Sequence, residues 1–432
     1  CDATFCCIFN LCKVIYFLQK SIIFAFQILM KMKKSIAILC GGGPAPGINT
    51  VISSVAKVFL KHNYRVIGLH DGFQSLFTYK LREEEITFQK ADEIRQAGGS
   101  MLAMSRFKPT DMSRLNTDFF INNNVKLLVT IGGDDTARSS MMVSDYLKTF
   151  NYYVQCIHVP KTIDNDLCLP EGIHTFGFQS AVAEGVKLAT TIYEDARTSG
   201  TWFVISSMGR EAGHLAFTIG ASAHYPMIII PEMFNKTAIT FDKILRLIIS
   251  SMLKRKILGI NYGAAIISEG VFHSMSDSEI ETTGISFTYD AHGHPELGPV
   301  SKAHIFNVLL QKKITEETRL KTKSRPVELG YEFRCVDPIA YDLMYCSLLG
   351  TGVKTLFDKG YTTCMVCADS KGDISPIFMK DVFDENTGAM RTRYFNIDSE
   401  QAHLVYNENI HYITPADYED VMQYVDNPEE YD

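Results

Sequence analysis

Positive charge is not in surplus: 42 Lys and Arg stand against 49 Asp and Glu in 432 residues, a net charge of −7. Global electrostatics therefore argue against a broad polyanion-binding or nucleic-acid surface, and an anionic substrate must be met by a local basic cluster. Zinc spacing is also missing. Cys364-Met-Val-Cys367 is a lone C-x-x-C inside a strand-like run with no second pair, while Cys1, Cys6, Cys7 and Cys12 crowd the start of the chain. The pair at 364 and 367 reads as two buried thiols in a reducing cytosol rather than as a metal site. The glycine-rich loop at 41–47 lacks the Gly-Lys-Ser/Thr of a Walker loop and the G-x-G-x-x-G of a dinucleotide fingerprint. No short internal repeat is visible, which excludes a solenoid or propeller.

Residues 1–31 differ from the rest of the chain. Val14–Met30 is apolar and nearly long enough to span a bilayer, but Gln19, Lys20 and Gln27 interrupt it. No small-residue cleavage site succeeds it. A membrane anchor is one reading. The other is a leader upstream of a start at Met30 or Met32, since Lys33-Lys34 and a strand come next, and the interrupted run favours it.

What is present is ordinary for a globular protein, with 46% hydrophobic and 21% charged residues. The length allows two or three domains. Apolar runs at 35–39, 66–69, 125–131, 154–159, 202–206, 227–230 and 264–268 read as buried strands, and stretches with apolar residues at helical spacing lie between them. Alternation of this kind predicts an α/β protein with two doubly wound, Rossmann-like, three-layer domains and an active site in the cleft between them. The expected boundaries are 35–176 with about 335–395 for one domain and 177–334 for the other. A polar, turn-rich stretch from 271 to 300, with His292 and His294, reads as a surface insertion, and acidic, Tyr-rich 396–432 as a solvated C-terminal arm.

Chemistry concentrates where strands end. Gly41-Gly42-Gly43-Pro44-Ala45-Pro46-Gly47 joins a strand to a helix, the backbone arrangement that attracts phosphate, although a tight connection would look the same. Arg106 comes after a Gly-Gly turn and becomes a phosphate ligand only if the fold carries it to that loop. Gly132-Gly133-Asp134-Asp135-Thr136 opens a helix with one more carboxylate than capping requires. In Pro160-Lys161-Thr162-Ile163-Asp164-Asn165-Asp166, an extended turn points Asp164 and Asp166 to one side and Ile163 to the other, so each carboxylate raises the other's pKa and one is tuned as a base. Met208-Gly209-Arg210 ends another strand, and Leu329-Gly330-Tyr331-Glu332-Phe333-Arg334 adds a cation beside an aromatic ring.

GGGPAPGIN, GGDDT, PKTIDND, MGREAGHLA, SEG and GYEFR, in this order between about residues 35 and 395, resemble the phosphofructokinase family. The resemblance implies that Gly42 and Arg106 bind the phosphoryl donor, that Asp134 binds Mg²⁺, and that Asp164 accepts the C1 hydroxyl proton of fructose 6-phosphate. It implies that Thr162, Ile163 and Asp166 line the acceptor or the metal, that Met208, Gly209 and Arg210 hold the sugar phosphate region, that Glu269 hydrogen-bonds the sugar, and that Tyr331 and Arg334 hold the 6-phosphate, with Glu332 and Phe333 between them also in the acceptor site. It further implies a cytoplasmic homodimer or homotetramer with no nucleic-acid or membrane partner.

Two positions bear on the donor. ATP-using bacterial members resemble this chain except for Gly where Asp135 stands, and often Gly where Lys161 stands. A second carboxylate crowds and repels a nucleotide's α-phosphate, and the lysine supplies charge that a shorter donor lacks. The chain therefore resembles the diphosphate-dependent branch. An ATP-dependent enzyme and a non-catalytic regulatory subunit of the same fold are the alternatives. Thr201 stands where many relatives carry an arginine, which removes one expected phosphate contact.

Overall fold

The computed structural model describes residues 33–78, 80–234, 237–283, 300–384 and 389–432. The expected leader at 1–31, His292, His294 and most of the 271–300 stretch lie outside them. Strands, apolar except at the sheet edge, alternate with helices: β1 (Ser35–Cys40), α1 (Ile48–Lys61), β2 (Arg65–Leu69), the acidic edge strand β3 (Glu83–Glu85), β4 (Val125–Gly132), α2 (Asp134–Thr149) and β5 (Gln155–Pro160). The chain continues through α3 (Phe178–Ser199), β6 (Trp202–Ser207), α4 (His214–Ser222), β7 (Met227–Ile229), α5 (Phe241–Ile257) and β8 (Gly263–Ser268). It ends with α6 (Lys302–Glu317), β9 (Ser324–Leu329), α7 (Ala340–Asp358), β10 (Cys364–Ala368), β11 (Ile374–Phe378) and shorter turns of helix.

These strands form two sheets. The first has seven strands in the order β11-β10-β5-β4-β1-β2-β3, and the second has four in the order β7-β8-β6-β9. The second is parallel throughout, while the first has antiparallel strands only at its edges, β3 and β11. Strand alternation divides β1 between two cores: Ile36, Ile38 and Cys40 pack with Val51, Val55 and Phe59 of α1 and Val353 and Leu356 of α7, whereas Ala37 and Leu39 pack with Val143 and Leu147 of α2. That is the expected three-layer arrangement. A larger core fills the space around the second sheet.

Register matters most for function. Cys40 pairs with Ile131 and Ile131 with Val159, so β1, β4 and β5 end at one level and release their loops side by side. In the second sheet Ser207 pairs with both Ser268 and Leu329, which places Met208, Glu269 and Gly330 at a common edge. Where the chain crosses between sheets, fully buried Asp342 of α7 accepts from the amides of Gly177 (3.0 Å) and Ser180 (2.8 Å), capping α3.

Two expectations need correction. Residues 396–432 are not a solvated arm. Ile413, Val421 and Val425 are buried in the second core, because the acidic and tyrosine residues alternate with apolar ones that the composition conceals. The supposed insertion also begins inside the core: Val271, Phe272 and Ile280 are buried on two short helices, Glu269–His273 and Asp277–Glu281. The thiols of Cys364 and Cys367 are free and buried as expected.

Candidate active site

Three loops of the first sheet are knitted together by backbone hydrogen bonds. The amide of Gly41 donates to Ile131 O (2.9 Å), that of Gly42 to Ser105 O (2.9 Å), and that of Lys161 to Gly132 O (2.8 Å). Thr136 sits between the first two loops so closely that a Cβ on Gly41 or on Gly132 would collide with its Oγ1. Buried His158 supports the turn from below, with Nδ1 2.8 Å from Thr130 Oγ1 and Nε2 donating to Gly132 O at 2.9 Å. Burial pushes its pKa down to about 3, so it is a neutral strut. Nothing in its sequence neighbourhood marks it out.

These loops face a cleft of about 670 Å³. Gly42, Arg106, Asp134, Asp135, Lys161, Thr162, Asp164, Asp166, Arg210 and Arg334, all named from the sequence, line it. The fold does carry Arg106 to the glycine loop, because its neighbour Ser105 accepts the Gly42 amide. That same bond commits the Gly42 N–H, so Gly42 serves the loop through its left-handed φ of 81° rather than as an amide ligand. Lys161 is buried, and its Nζ donates to Gly43 O at 2.5 Å. Burial, with Arg334 nearby, lowers its pKa to about 8. Arg334 lies against the same loop: a Cβ on Gly43 would collide with its guanidinium. At the mouth, Lys108 Nζ lies 2.7 Å from the Asp135 carboxylate. Lys108 escapes a reading that looks only at strand ends, since it lies on a connecting loop.

Residues 161 to 167 alternate between buried and partly exposed, so Ile163 and Asn165 turn inward while Thr162, Asp164 and Asp166 turn to the cleft, with Lys161 and Leu167 buried in its wall. Burial raises the Asp164 carboxyl to about 7, helped by Asp166 and Glu269 and opposed by Lys161. The Arg210 amide also hydrogen-bonds to it, so the second sheet's loop reaches Asp164 directly. Gly209 (φ 130°) and Gly270, whose Cβ would fall 2.9 Å from Gly209 O, allow that approach. Burial raises Asp166 as well. Arg210 itself precedes α4 by several residues and lies in the loop rather than at the helix start.

Glu269 is paired with Lys302 at 3.3 Å, both largely buried. Lys302 was not foreseen. Its one signal is a lysine in the first turn of a helix, where the dipole disfavours it. On the far side of Arg210 and Glu211 a second cavity of about 740 Å³ opens, lined also by Glu232, His273, Tyr394 and Phe395.

The remaining expected ligands fall differently. Tyr331–Arg334 is one helical turn, which sends Phe333 into the core, fully buried, and leaves Tyr331 and Arg334 on one outer face, the guanidinium 5.5 Å from the ring. Glu332 accepts the Gly330 amide at 2.9 Å. Phe333 and Glu332 are thus scaffold rather than ligands. Ile163 is buried beneath its own loop, and Met208 packs against Gly330 and the second core. Among the described residues no group of three or more His, Cys, Asp or Glu forms a ready metal cage.

A sequence profile described as Phosphofructokinase matches residues 35–356. The pyrophosphate–fructose 6-phosphate 1-phosphotransferase of Thermotoga maritima is 35% identical over 377 residues, covering 85% of this chain and 88% of its own. The enzyme of the same name from Naegleria fowleri is 37% identical over 383 residues, covering 85% of each chain. A crystal structure titled pyrophosphate-dependent phosphofructokinase, from Marinobacter aquaeolei, shares the fold with a TM-score of 0.64 at 17% identity, covering 91% of each chain.

Proposed function

The chain belongs to the phosphofructokinase family, and on that premise we propose that it transfers a phosphoryl group from inorganic diphosphate to the 1-hydroxyl of D-fructose 6-phosphate, reversibly, giving fructose 1,6-bisphosphate and phosphate. The observation that carries the donor choice is the pairing of buried Lys161 against the glycine loop with Asp135 at the mouth of the same cleft. Lys161 offers an ammonium where a diphosphate would lie, and the Asp135 carboxylate opposes a third phosphate beyond it.

In the forward direction Asp164 accepts the C1 hydroxyl proton as the sugar oxygen bonds to the nearer phosphorus. The bond from that phosphorus to the bridging oxygen breaks, and the electron pair leaves with inorganic phosphate. The transition state is loose, so the protein's task is positioning and charge neutralisation. Lys161, Arg106 and Arg334 provide cations at the donor end. The resemblance led us to expect Arg334 at the sugar's 6-phosphate, but its position beside Gly43 makes it part of the donor end in this arrangement. Glu269 and Arg210 are left to orient the acceptor.

The donor set fits magnesium delivered with its substrate. Mg²⁺ keeps several waters and takes one or two carboxylates with phosphate oxygens rather than a full protein cage, and Asp134 with Asp166 nearby offers that number. When bound, the ion would neutralise donor charge. The family resemblance further supports a cytoplasmic homodimer or homotetramer, to be measured by sedimentation. The described helices include none long and apolar enough to cross a membrane.

Parallel assays of fructose 6-phosphate phosphorylation with diphosphate and with ATP test the reading. Diphosphate should be preferred by a factor on the order of a hundred in kcat/KM. Turnover with ATP and none with diphosphate would overturn the donor assignment. No turnover with either would favour the non-catalytic reading.

A further inference from the structure

Beyond residue 356, where the family match ends, the chain returns to the cleft as a strap over 389–396. The strap touches both halves of the molecule. Thr392 Oγ1 donates to Glu211, and the Phe395 amide donates to Glu232 at 2.9 Å. His214 Nε2 lies 3.0 Å from Arg393 O. On its other side, the Arg393 amide donates to Asp166 O at 2.8 Å.

The Arg393 guanidinium is turned into the loop that carries the base. Nε and Nη2 donate to Asn165 O at 3.1 and 2.9 Å, Nη2 also reaches Asn165 Oδ1, and Nη1 donates to Ile173 O at 2.6 Å. Asn165 is in the left-handed region, φ 58°, between the two cleft aspartates. Its Oδ1 also accepts the Thr175 amide at 3.0 Å. Among the described residues no carboxylate lies within ion-pair distance of Arg393; Asp166 attracts it from further off, and the hydrogen bonds of this half-buried guanidinium all go to neutral carbonyls of one loop. Drawing a guanidinium out of water without a hydrogen-bonded carboxylate is costly, so its placement points to a task beyond packing.

We propose that Arg393 is the positioning residue of the catalytic loop, fixing Asn165 in its left-handed turn and thereby aiming Asp164 and Asp166 into the cleft. The geometry explains why one residue could do this: Nε and Nη2 converge on Asn165, the one residue that separates the two carboxylates, and Nη1 ties that turn to Ile173 O across the loop. Because the strap is also tied to Glu211 and Glu232, the aim of the loop is referenced to the second sheet, where the acceptor binds. The inference rests on the reading of Asp164 as the base.

The test compares wild type, Arg393→Met, Arg393→Lys and Arg393→Ala. In Arg393→Met, kcat with diphosphate should fall on the order of a hundredfold, the penalty of a small misplacement, while KM for diphosphate changes by less than about threefold, since Lys161 and the glycine loop are untouched. Arg393→Lys, which keeps the charge but not the fork, should stay well below wild type. Free guanidinium should restore part of the activity of Arg393→Ala. Amide hydrogen exchange over 162–176 should quicken in Arg393→Met with the rest of the protein unchanged. A wild-type kcat in Arg393→Met, unaltered exchange over 162–176, or a loss that only tracks general unfolding would each overturn the proposal. The exchange arm needs no turnover: if wild type proved inactive but the loop still loosened in Arg393→Met, the base assignment would fall and the positioning role would stand.

Discussion

At the scale of single residues, the site holds a carboxyl raised toward neutrality and an ammonium lowered toward it. The free enzyme is competent when the Asp164 pair has lost its proton and Lys161 keeps its own. The kcat/KM profile should therefore be bell-shaped, falling below an apparent pKa near 7 and above one near 8. A profile flat from pH 5 to 9 would remove both assignments. Asp164→Asn should lower kcat by roughly 10²–10⁴-fold, the usual share of a general base, with fructose 6-phosphate binding retained by calorimetry. Burial lifts this carboxyl above its ordinary 3.8. Its stabilising contribution is therefore complete below that value and disappears as pH rises through about 7. Asp164→Asn should accordingly melt no lower than wild type at pH 8, and a marked drop in Tm there would contradict the burial argument. On the proposed assignment of donor choice to Asp135 and Lys161, Asp135→Gly with Lys161→Gly should gain ATP turnover while diphosphate kcat/KM falls by roughly 10²–10³-fold, the cost of losing one preorganised charge. Failure to gain ATP use would leave the specificity to other groups, with Lys108 the first to examine.

At the scale of elements, the strand ends were legible because they are apolar runs cut off by Gly-Gly-Asp or Pro-Lys, and such runs in a parallel sheet have few alternatives. The cleft side of Asp164 and Asp166 was equally legible from a period of two. Less visible were β3, written Glu83-Glu84-Glu85, and β9, with Arg325 and Pro326 in it. Both are edge strands, where exposure removes the apolar signal and tolerates charge and proline. Tyr331–Arg334 misled for a related reason. A contiguous motif was read as a contiguous surface, yet one helical turn divides it between core and cleft. Junctions between elements are the part that sequence spacing cannot show, and Asp342 is the clearest. It caps α3 across more than a hundred and fifty positions of sequence, accepting two amides and the Ser180 hydroxyl in a fully buried place. Asp342→Ala strands those donors, and should cost on the order of 3 kcal/mol in urea denaturation. A change below about 0.5 kcal/mol, the size of an ordinary surface substitution, would mean that water replaces the cap.

At the scale of the whole molecule, two sheets present their carboxyl edges to one cleft, and the last part of the chain holds the second of them together. Residues 396–432 close over α5: the Ile413 amide donates to Ser250 Oγ at 3.0 Å, the His411 amide to Pro226 O at 2.9 Å, and Lys254 pairs with Asp417 at 2.7 Å. The Arg319 amide donates to Tyr424 O at 2.7 Å, and Arg246 pairs with Glu430 at 2.6 Å while lying 5.3 Å from the Tyr431 ring. Each fully buried aliphatic side chain in this segment contributes about 1.5–3 kcal/mol, and Ile413, Val421 and Val425 together approach the roughly 5–15 kcal/mol that separates a typical folded domain from its unfolded ensemble. A chain ending at residue 397 should therefore lose cooperative melting of the half built on β6 to β9, while amides of β1, β4 and β5 remain protected from exchange. Ile413→Ala is the milder probe. It leaves a cavity against α5, should cost about 2–5 kcal/mol, and should leave kcat at 25 °C unchanged because no cleft residue rests on Ile413. If the shortened chain melted like the full one, the segment would be packing without holding, and the second core would have to be complete without it.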